Sequence, residues 1–164
     1  MKKIFIDYEK LLRGGGAGAI ECSYAMHPDN RGMIRLCEEI AFMFACRRCE
    51  DYPCVNACPN GALKREDDLI RRSSFMCISC KNCSMACPFG TILPESVPYL
   101  VSRCDTCLNR LAPGGVPLCV RTCPDDSIRL VEEEEVKEDK NVHALGNVIL
   151  VRVVDWRELN GVRR

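Results

Sequence analysis

Three segments place cysteines at spacings that suit an inorganic cluster. "CRRCEDYPCVNACP" carries Cys46, Cys49, Cys54 and Cys58 before Pro59. "CISCKNCSMACP" carries Cys77, Cys80, Cys83 and Cys87 before Pro88. "CDTCLNRLAPGGVPLCVRTCP" carries Cys104, Cys107, Cys119 and Cys123 before Pro124. The second fits C-x2-C-x2-C-x3-C-P, the bacterial-type iron–sulfur run, and the other two add a longer insert before the third cysteine. Three close cysteines can wrap three corners of a cubane in one loop. The fourth lies about one helical turn further on and points elsewhere; in two-cluster ferredoxins it ligates the other cluster. Structural zinc is the competing chemistry, because paired C-x2-C motifs build four-thiolate sites. Zinc does not call for a third cysteine after each pair and a fourth before proline, three times over.

Composition favours metal over disulfide. The chain has 14 cysteines in 164 residues, a density that implies cross-links of some kind. "MKKIFIDYEK" is too short in apolar residues for a signal peptide, and the longest apolar run, "IAFMFAC", is too short to span a bilayer. The expectation is therefore a cytoplasmic protein with reduced thiols and no direct membrane insertion. Lys plus Arg equals Asp plus Glu at 23 each, so no net charge points to nucleic acid. Aromatic residues make up only 6 %, so bound metal should supply part of the folding free energy.

The elements that must position these cysteines follow from what lies between them. "CPNGAL", "CPFGTI" and "CPDDSI" each read as turn residues leading into a short apolar start, an internal repeat of loop, short helix, turn and short strand. "GMIRLC" reads as a strand, with a helix over 33–45 as the alternative. "EEEEVKEDK" reads as a solvated loop or helix edge. "NVILVRVVDWREL" reads as a strand with Trp156 behind it, serving either a docking role or simple sheet completion. The fold class expected is α+β: a ferredoxin-like, pseudo-two-fold iron–sulfur fold with short helices, short antiparallel strands and a C-terminal strand extension. Its segments are residues 1–45 (a degenerate first cysteine block and a linking strand), 46–99 (a two-cluster module), 100–131 (the last block) and 132–164 (a charged loop and docking extension).

Other candidates are weaker. "RGGGAG" offers Gly14, Gly16 and Ala19 to the looser form of a phosphate-cradling loop, but no Walker lysine follows. His27 and His143 lie far apart, near no serine or paired carboxylates, and read as surface or interface residues rather than general bases. Arg47, Arg48, Lys64, Arg65, Arg71, Arg72, Lys81, Arg103, Arg110 and Arg121 crowd the cysteine loops. A 4Fe–4S core with four thiolates is an anion of about −2 when oxidised, so nearby cations can raise its potential. Ordinary solvated surface is the alternative for each of them.

The three cysteine blocks together resemble the polyferredoxin-type electron-transfer subunits of molybdenum and tungsten oxidoreductases and formate-hydrogenlyase-like complexes, over about residues 3–130. That resemblance implies four blocks whose ligands pair first with fourth and second with third. The first block here is degenerate: its positions before Cys22 fall on Leu12, Gly15 and Gly18, which cannot bind iron. The implied complement is three 4Fe–4S clusters, at Cys22, Cys104, Cys107 and Cys119; at Cys46, Cys49, Cys54 and Cys87; and at Cys58, Cys77, Cys80 and Cys83. Cys37 and Cys123 are left free. The local alternative makes Cys123 the ligand and Cys22 a small buried hydrophobe. The resemblance further implies a row of clusters with the Cys46 centre in the middle. It implies a large tungsten- or molybdenum-pterin catalytic partner, and further redox subunits or a ferredoxin. Loss of the first cluster is similar to the small subunit of tungsten-dependent class II benzoyl-CoA reductases. A formate- or hydrogenase-linked subunit, a free polyferredoxin and a zinc-dependent interaction module are the rivals.

Overall fold

The computed structural model describes residues 2–14, 20–22, 32–94, 97, 104, 106–107 and 111–156. The chain opens with β1 (Lys3–Asp7), α1 (Tyr8–Arg13) and α2 (Gly32–Ile40), which continues as a π-helical turn (Ala41–Ala45). Then come α3 (Pro53–Asn56), β2 (Leu63–Glu66), β3 (Leu69–Arg72), α4 (Asn82–Ala86), α5 (Leu118–Arg121), β4 (Ile128–Val131), a 3-10 turn (Glu133–Glu135), β5 (Val142–Leu145) and β6 (Ile149–Arg152). These short, mixed elements make an α+β protein. They fall into two units, one of residues 1–36 and 102–154, the other of residues 37–101 and 155–164. No helix among the described residues is long and apolar enough to cross a membrane.

The first unit is built on a four-stranded sheet in the order β4-β1-β6-β5. Its central strand has the sequence KIFID, and Ile4, Phe5 and Ile6 are all buried. A strand covered on both faces reads as a continuous apolar run rather than an alternation. β1 runs antiparallel to β4, with Ile4 opposite Leu130, and parallel to β6, with Ile4 opposite Ile149. The parallel pair corrects the expectation of antiparallel strands alone. Parallel neighbours need a long crossover, and here most of the chain supplies it. Asp7 ends the strand and caps α1, accepting the Lys10 N–H at 3.0 Å and Arg152 Nη1 at 2.9 Å. The C-terminal strand thus completes the sheet. Of the docking extension expected over residues 132–164, residues 157–164 lie outside the described residues.

Leading into the second unit, a linking strand is expected around Cys37, and a helix is found instead. Met33, Leu36, Cys37 and Ile40 are all buried and recur at the i, i+3, i+4, i+7 spacing of one helical face. The π-helical turn closes on the first cluster block, the Cys46 N–H reaching the Ala41 carbonyl at 2.8 Å. The β2–β3 hairpin turns at Asp67 and Asp68, both left-handed at φ 49° and 62°, the paired positive angles of a tight two-residue hairpin turn. Phe42, Leu63, Ile70, Ile92 and Val97 form the core of this unit together with Cys54, Cys77 and Cys83. The expected repeat is incomplete. A strand follows the first block (β2) and the third (β4), but among the described residues none follows the second.

Candidate metal centres

The three C-x-x-C loops share one backbone device. The second residue after the leading cysteine is left-handed in each: Arg48 at φ 53°, Ser79 at 57° and Thr106 at 55°. None is glycine, and Thr106 is β-branched, so each position costs conformational energy. Left-handed residues in such loops are among the elements that curl backbone N–H groups into the anion-binding concavities found at iron–sulfur sites. Two residues before the third cysteine the chain is left-handed again at Tyr52 (φ 44°) and Lys81 (φ 62°), each opening a short helix. In the third block Pro117 holds the corresponding position at φ −55°.

The turn after the fourth cysteine repeats as well. Gly61, Gly90 and Asp126 are left-handed at φ 59°, 63° and 56°, each three residues beyond Cys58, Cys87 and Cys123. The Gly61 and Gly90 N–H groups reach the Cys58 and Cys87 carbonyls at 3.2 and 3.3 Å. The turn aims amides at the sulfur: the Ala62 N–H lies 3.2 Å from Cys58 Sγ and the Ile128 N–H 3.3 Å from Cys123 Sγ. Burial raises the Cys58 thiol pKa, but the N–H groups of Leu63, Ala62, Asn60 and Gly61 outweigh it and bring it below the ordinary range. Cys87 is brought down in the same way, with amides of Phe89, Thr91 and Ile92 overcoming burial.

Two concavities in the second unit each collect four cysteines. One, with an empty volume of about 370 Å³ that is partly open to solvent, is lined by Cys46, Cys49, Cys54 and Cys87, together with Arg47, Tyr52 and Phe89. The other, about 310 Å³ on the same measure, is lined by Cys58, Cys77, Cys80 and Cys83, together with Arg72 and Val97. The fourth cysteine of each block thus lies with the first three of the other. Burial pushes the Cys54 thiol up to about 11, and the nearby Cys46 and Cys87 add to the rise. Burial likewise raises Cys83, with Cys77 and Cys58 contributing. Such crowded thiols lose their protons when a cation binds among them, and coordination by metal does this outright. None of the fourteen cysteines forms a disulfide. Four thiols around each concavity are the donor set of a thiolate-bound cluster.

In the first unit, burial pushes the Cys119 thiol up to about 12, and Cys107, Cys104 and Cys22 all add to it electrostatically. Cys22, Cys104 and Cys107 thus lie within electrostatic reach of Cys119. Glu21, beside Cys22, donates its N–H to Thr122 Oγ1 at 3.0 Å and pins that segment to the end of α5. Cys123 has other company: its Sγ lies 3.2 Å from Asp125 Oδ1, 3.2 Å from Ser127 Oγ and 3.3 Å from the Ile128 nitrogen. Leu12, a vacant ligand position, is a helical residue of α1. Gly15 and Gly18, the glycine-loop residues Gly16 and Ala19, and His27 lie outside the described residues. His143 is a strand residue of β5. Cys37 is buried, its thiol pushed up to about 12 by burial alone, as befits a packing residue.

The loop cations divide sharply. Arg65 pairs with Asp68 and Arg71 with Glu66 within their own exposed hairpin. Arg47 stacks on Trp156 and Phe89. Arg48 and Arg72 lie near ligand-position cysteines: Arg48 opposes the burial-driven rise of Cys46, and Arg72 lines the concavity of Cys58, Cys77, Cys80 and Cys83. Arg103 and Arg110 lie outside the described residues. The buried partner of Arg72, Glu38, was invisible in the sequence, where it is one acidic residue on an ordinary helix.

Comparison with known proteins agrees with this donor set. Residues 37–133 match the 4Fe-4S dicluster domain. An iron-sulfur protein of Rhodospirillum rubrum is 34 % identical over 135 residues, covering 74 % of this chain and 71 % of its own. A component of the anaerobic dimethyl sulfoxide reductase of Escherichia coli (strain K12) is 41 % identical over 81 residues, covering 49 % of this chain and 40 % of its own. Two further Escherichia coli relatives, 40 % and 36 % identical, are matched over only 14 % of their length.

Proposed function

The chain belongs to the 4Fe-4S dicluster domain family, and on that premise we propose that it is an electron-transfer subunit carrying three 4Fe–4S clusters within a larger oxidoreductase. Cys46, Cys49, Cys54 and Cys87 hold one cluster; Cys58, Cys77, Cys80 and Cys83 hold the second; Cys22, Cys104, Cys107 and Cys119 hold the third. The exchange of fourth cysteines between the first two blocks carries this reading. It makes the two centres of the second unit a pseudo-two-fold pair. A bound 4Fe–4S cluster supplies one-electron transfer at a potential set by charge, hydrogen bonds to sulfur and exposure. The chain's residues do the rest. The turn after Cys58 brings the Ala62 N–H to its sulfur, the core around Phe42 and Ile70 excludes water, and Arg72 places a cation at the wall of the Cys58, Cys77, Cys80 and Cys83 concavity.

A subunit needs a partner face. Phe75, Met76 and Ile78 flank Cys77, and Met85 and Phe89 flank Cys87; all five are exposed, Phe75 at 89 %. Cys80 is exposed beside them. Exposed apolar side chains around a redox site suit a protein partner that must approach closely. The partner proposed is a large molybdenum- or tungsten-pterin catalytic subunit, in keeping with a relative named as one component of an anaerobic reductase. The finer assignment to a tungsten enzyme of the class II benzoyl-CoA reductase type rests on the degenerate first block, where Leu12 stands at a ligand position.

Anaerobic purification with iron and sulfide analysis tests the reading. About twelve iron and twelve sulfide per polypeptide are expected, with a brown absorbance that bleaches on reduction. Colourless zinc-loaded protein overturns it. Metal analysis of the co-purifying complex, with tungsten expected, tests the finer assignment.

A further inference from the structure

Arg72 and Glu38 form a salt bridge in the interior of the second unit, their side chains only 1 % and 2 % exposed. Arg72 Nη2 donates to Glu38 Oε2 at 2.9 Å, and Nε donates to Oε1. This two-pronged pairing fixes the plane of the guanidinium. Arg72 ends β3 and lines the concavity of Cys58, Cys77, Cys80 and Cys83. The cation is therefore held between a carboxylate and a concavity that collects four cysteines. Burying a charge pair is a poor route to stability, since apolar replacement of both partners is often neutral or better. Hydrogen bonds to sulfur and local charge, by contrast, are levers on the potential of an iron–sulfur site.

We infer that the Glu38–Arg72 pair sets the reduction potential of the centre at Cys58, Cys77, Cys80 and Cys83, with Arg72 lending positive charge to the wall of that concavity and Glu38 positioning that cation and damping its field. The inference rests on the electron-transfer reading above. Its sign is fixed by electrostatics. Taking up an electron makes the site more negative, so a cation in contact favours the reduced form and a carboxylate behind it disfavours that form. Glu38 and Arg72 are positioning residues: Glu38 acts through Arg72, and Arg72 through its charge at the cysteine-lined concavity.

The test is a redox titration of the intact, anaerobically purified protein, followed by absorbance and electron paramagnetic resonance. Glu38→Gln should raise the potential of one couple. The double variant Glu38→Leu/Arg72→Met should lower that same couple and leave the others in place. Each shift should reach at least a tenfold change in the reduction equilibrium, about 59 mV for one electron. Opposite signs from the two variants are not the signature of a merely structural pair. Shifts of the same sign, no shift, or movement of every couple together overturn the inference. Should Glu38→Gln fail to fold, the double variant decides alone: a fall in one couple supports the inference and an unmoved couple overturns it. Wild-type protein without clusters overturns the electron-transfer reading and this inference with it, whereas intact clusters with unmoved potentials overturn this inference alone.

Discussion

The Arg47 guanidinium lies 3.1 Å from the ring centre of Trp156 and 5.2 Å from that of Phe89. Arg47 and Phe89 both line the concavity of Cys46, Cys49, Cys54 and Cys87. The C-terminal tryptophan thus bears on a cation at the rim of a candidate centre. Trp156→Ala should lower stability by about 0.5–2 kcal/mol, the range for cation–π contacts, and speed iron loss to a chelator. Denaturant unfolding and the rate of bleaching under chelator measure the two effects.

The environments of Cys22 and Cys123 differ enough to separate them by substitution. Cys119 feels Cys22 electrostatically, while Cys123 hydrogen-bonds with Asp125, Ser127 and Ile128. Cys22→Ser should remove about four iron atoms per polypeptide and Cys123→Ser none. Iron analysis of the two purified variants decides, and the reverse pattern would assign Cys123 as the ligand.

Gly90 follows the second block at φ +63°, and an added Cβ there would meet nothing within 4 Å. Only backbone conformation resists a side chain at that position. Gly90→Ala should cost about 1–2 kcal/mol, the penalty for a left-handed L-residue. Gly90→Asn should cost less, because Asn tolerates this region, as Asp126 does at φ 56° in the third block. Unfolding midpoints of the two variants give the order.

Phe75 and Met85 are 89 % and 77 % exposed beside the second block. On the proposed partner surface, the double variant Phe75→Asp/Met85→Asp should keep its iron and lose the proposed catalytic subunit on anaerobic co-purification. Retention of the partner at full occupancy would remove this face from the interface.

The grouping of cysteines around the two concavities of the second unit was legible because ligand spacing is a local rule, and the segment 46–58 or 77–87 carries it complete. The helix at Gly32–Ile40 was only half legible: Met33, Leu36, Cys37 and Ile40 have helical spacing, but the short run "GMIRLC" also suits a strand. The left-handed residues Arg48, Ser79 and Thr106 left no mark, since nothing in Arg, Ser or Thr announces φ above zero and the surrounding loop imposes it. The parallel pairing of β1 with β6 and the Glu38–Arg72 bond were likewise hidden, because both join residues far apart by partners that no short window contains.

The sheet register carries a consequence for biosynthesis. Asp7 and Arg152 meet across 145 positions, and the strands that bear them are hydrogen-bonded neighbours. At a ribosomal pace of about 5–20 residues per second, β1 waits several seconds or more for its parallel neighbour to emerge. The block from Cys46 to Cys87 leaves the ribosome earlier and depends on no late strand for its hairpin. Folding of this segment should therefore begin with the Cys46–Cys87 block and finish when β6 pairs with β1.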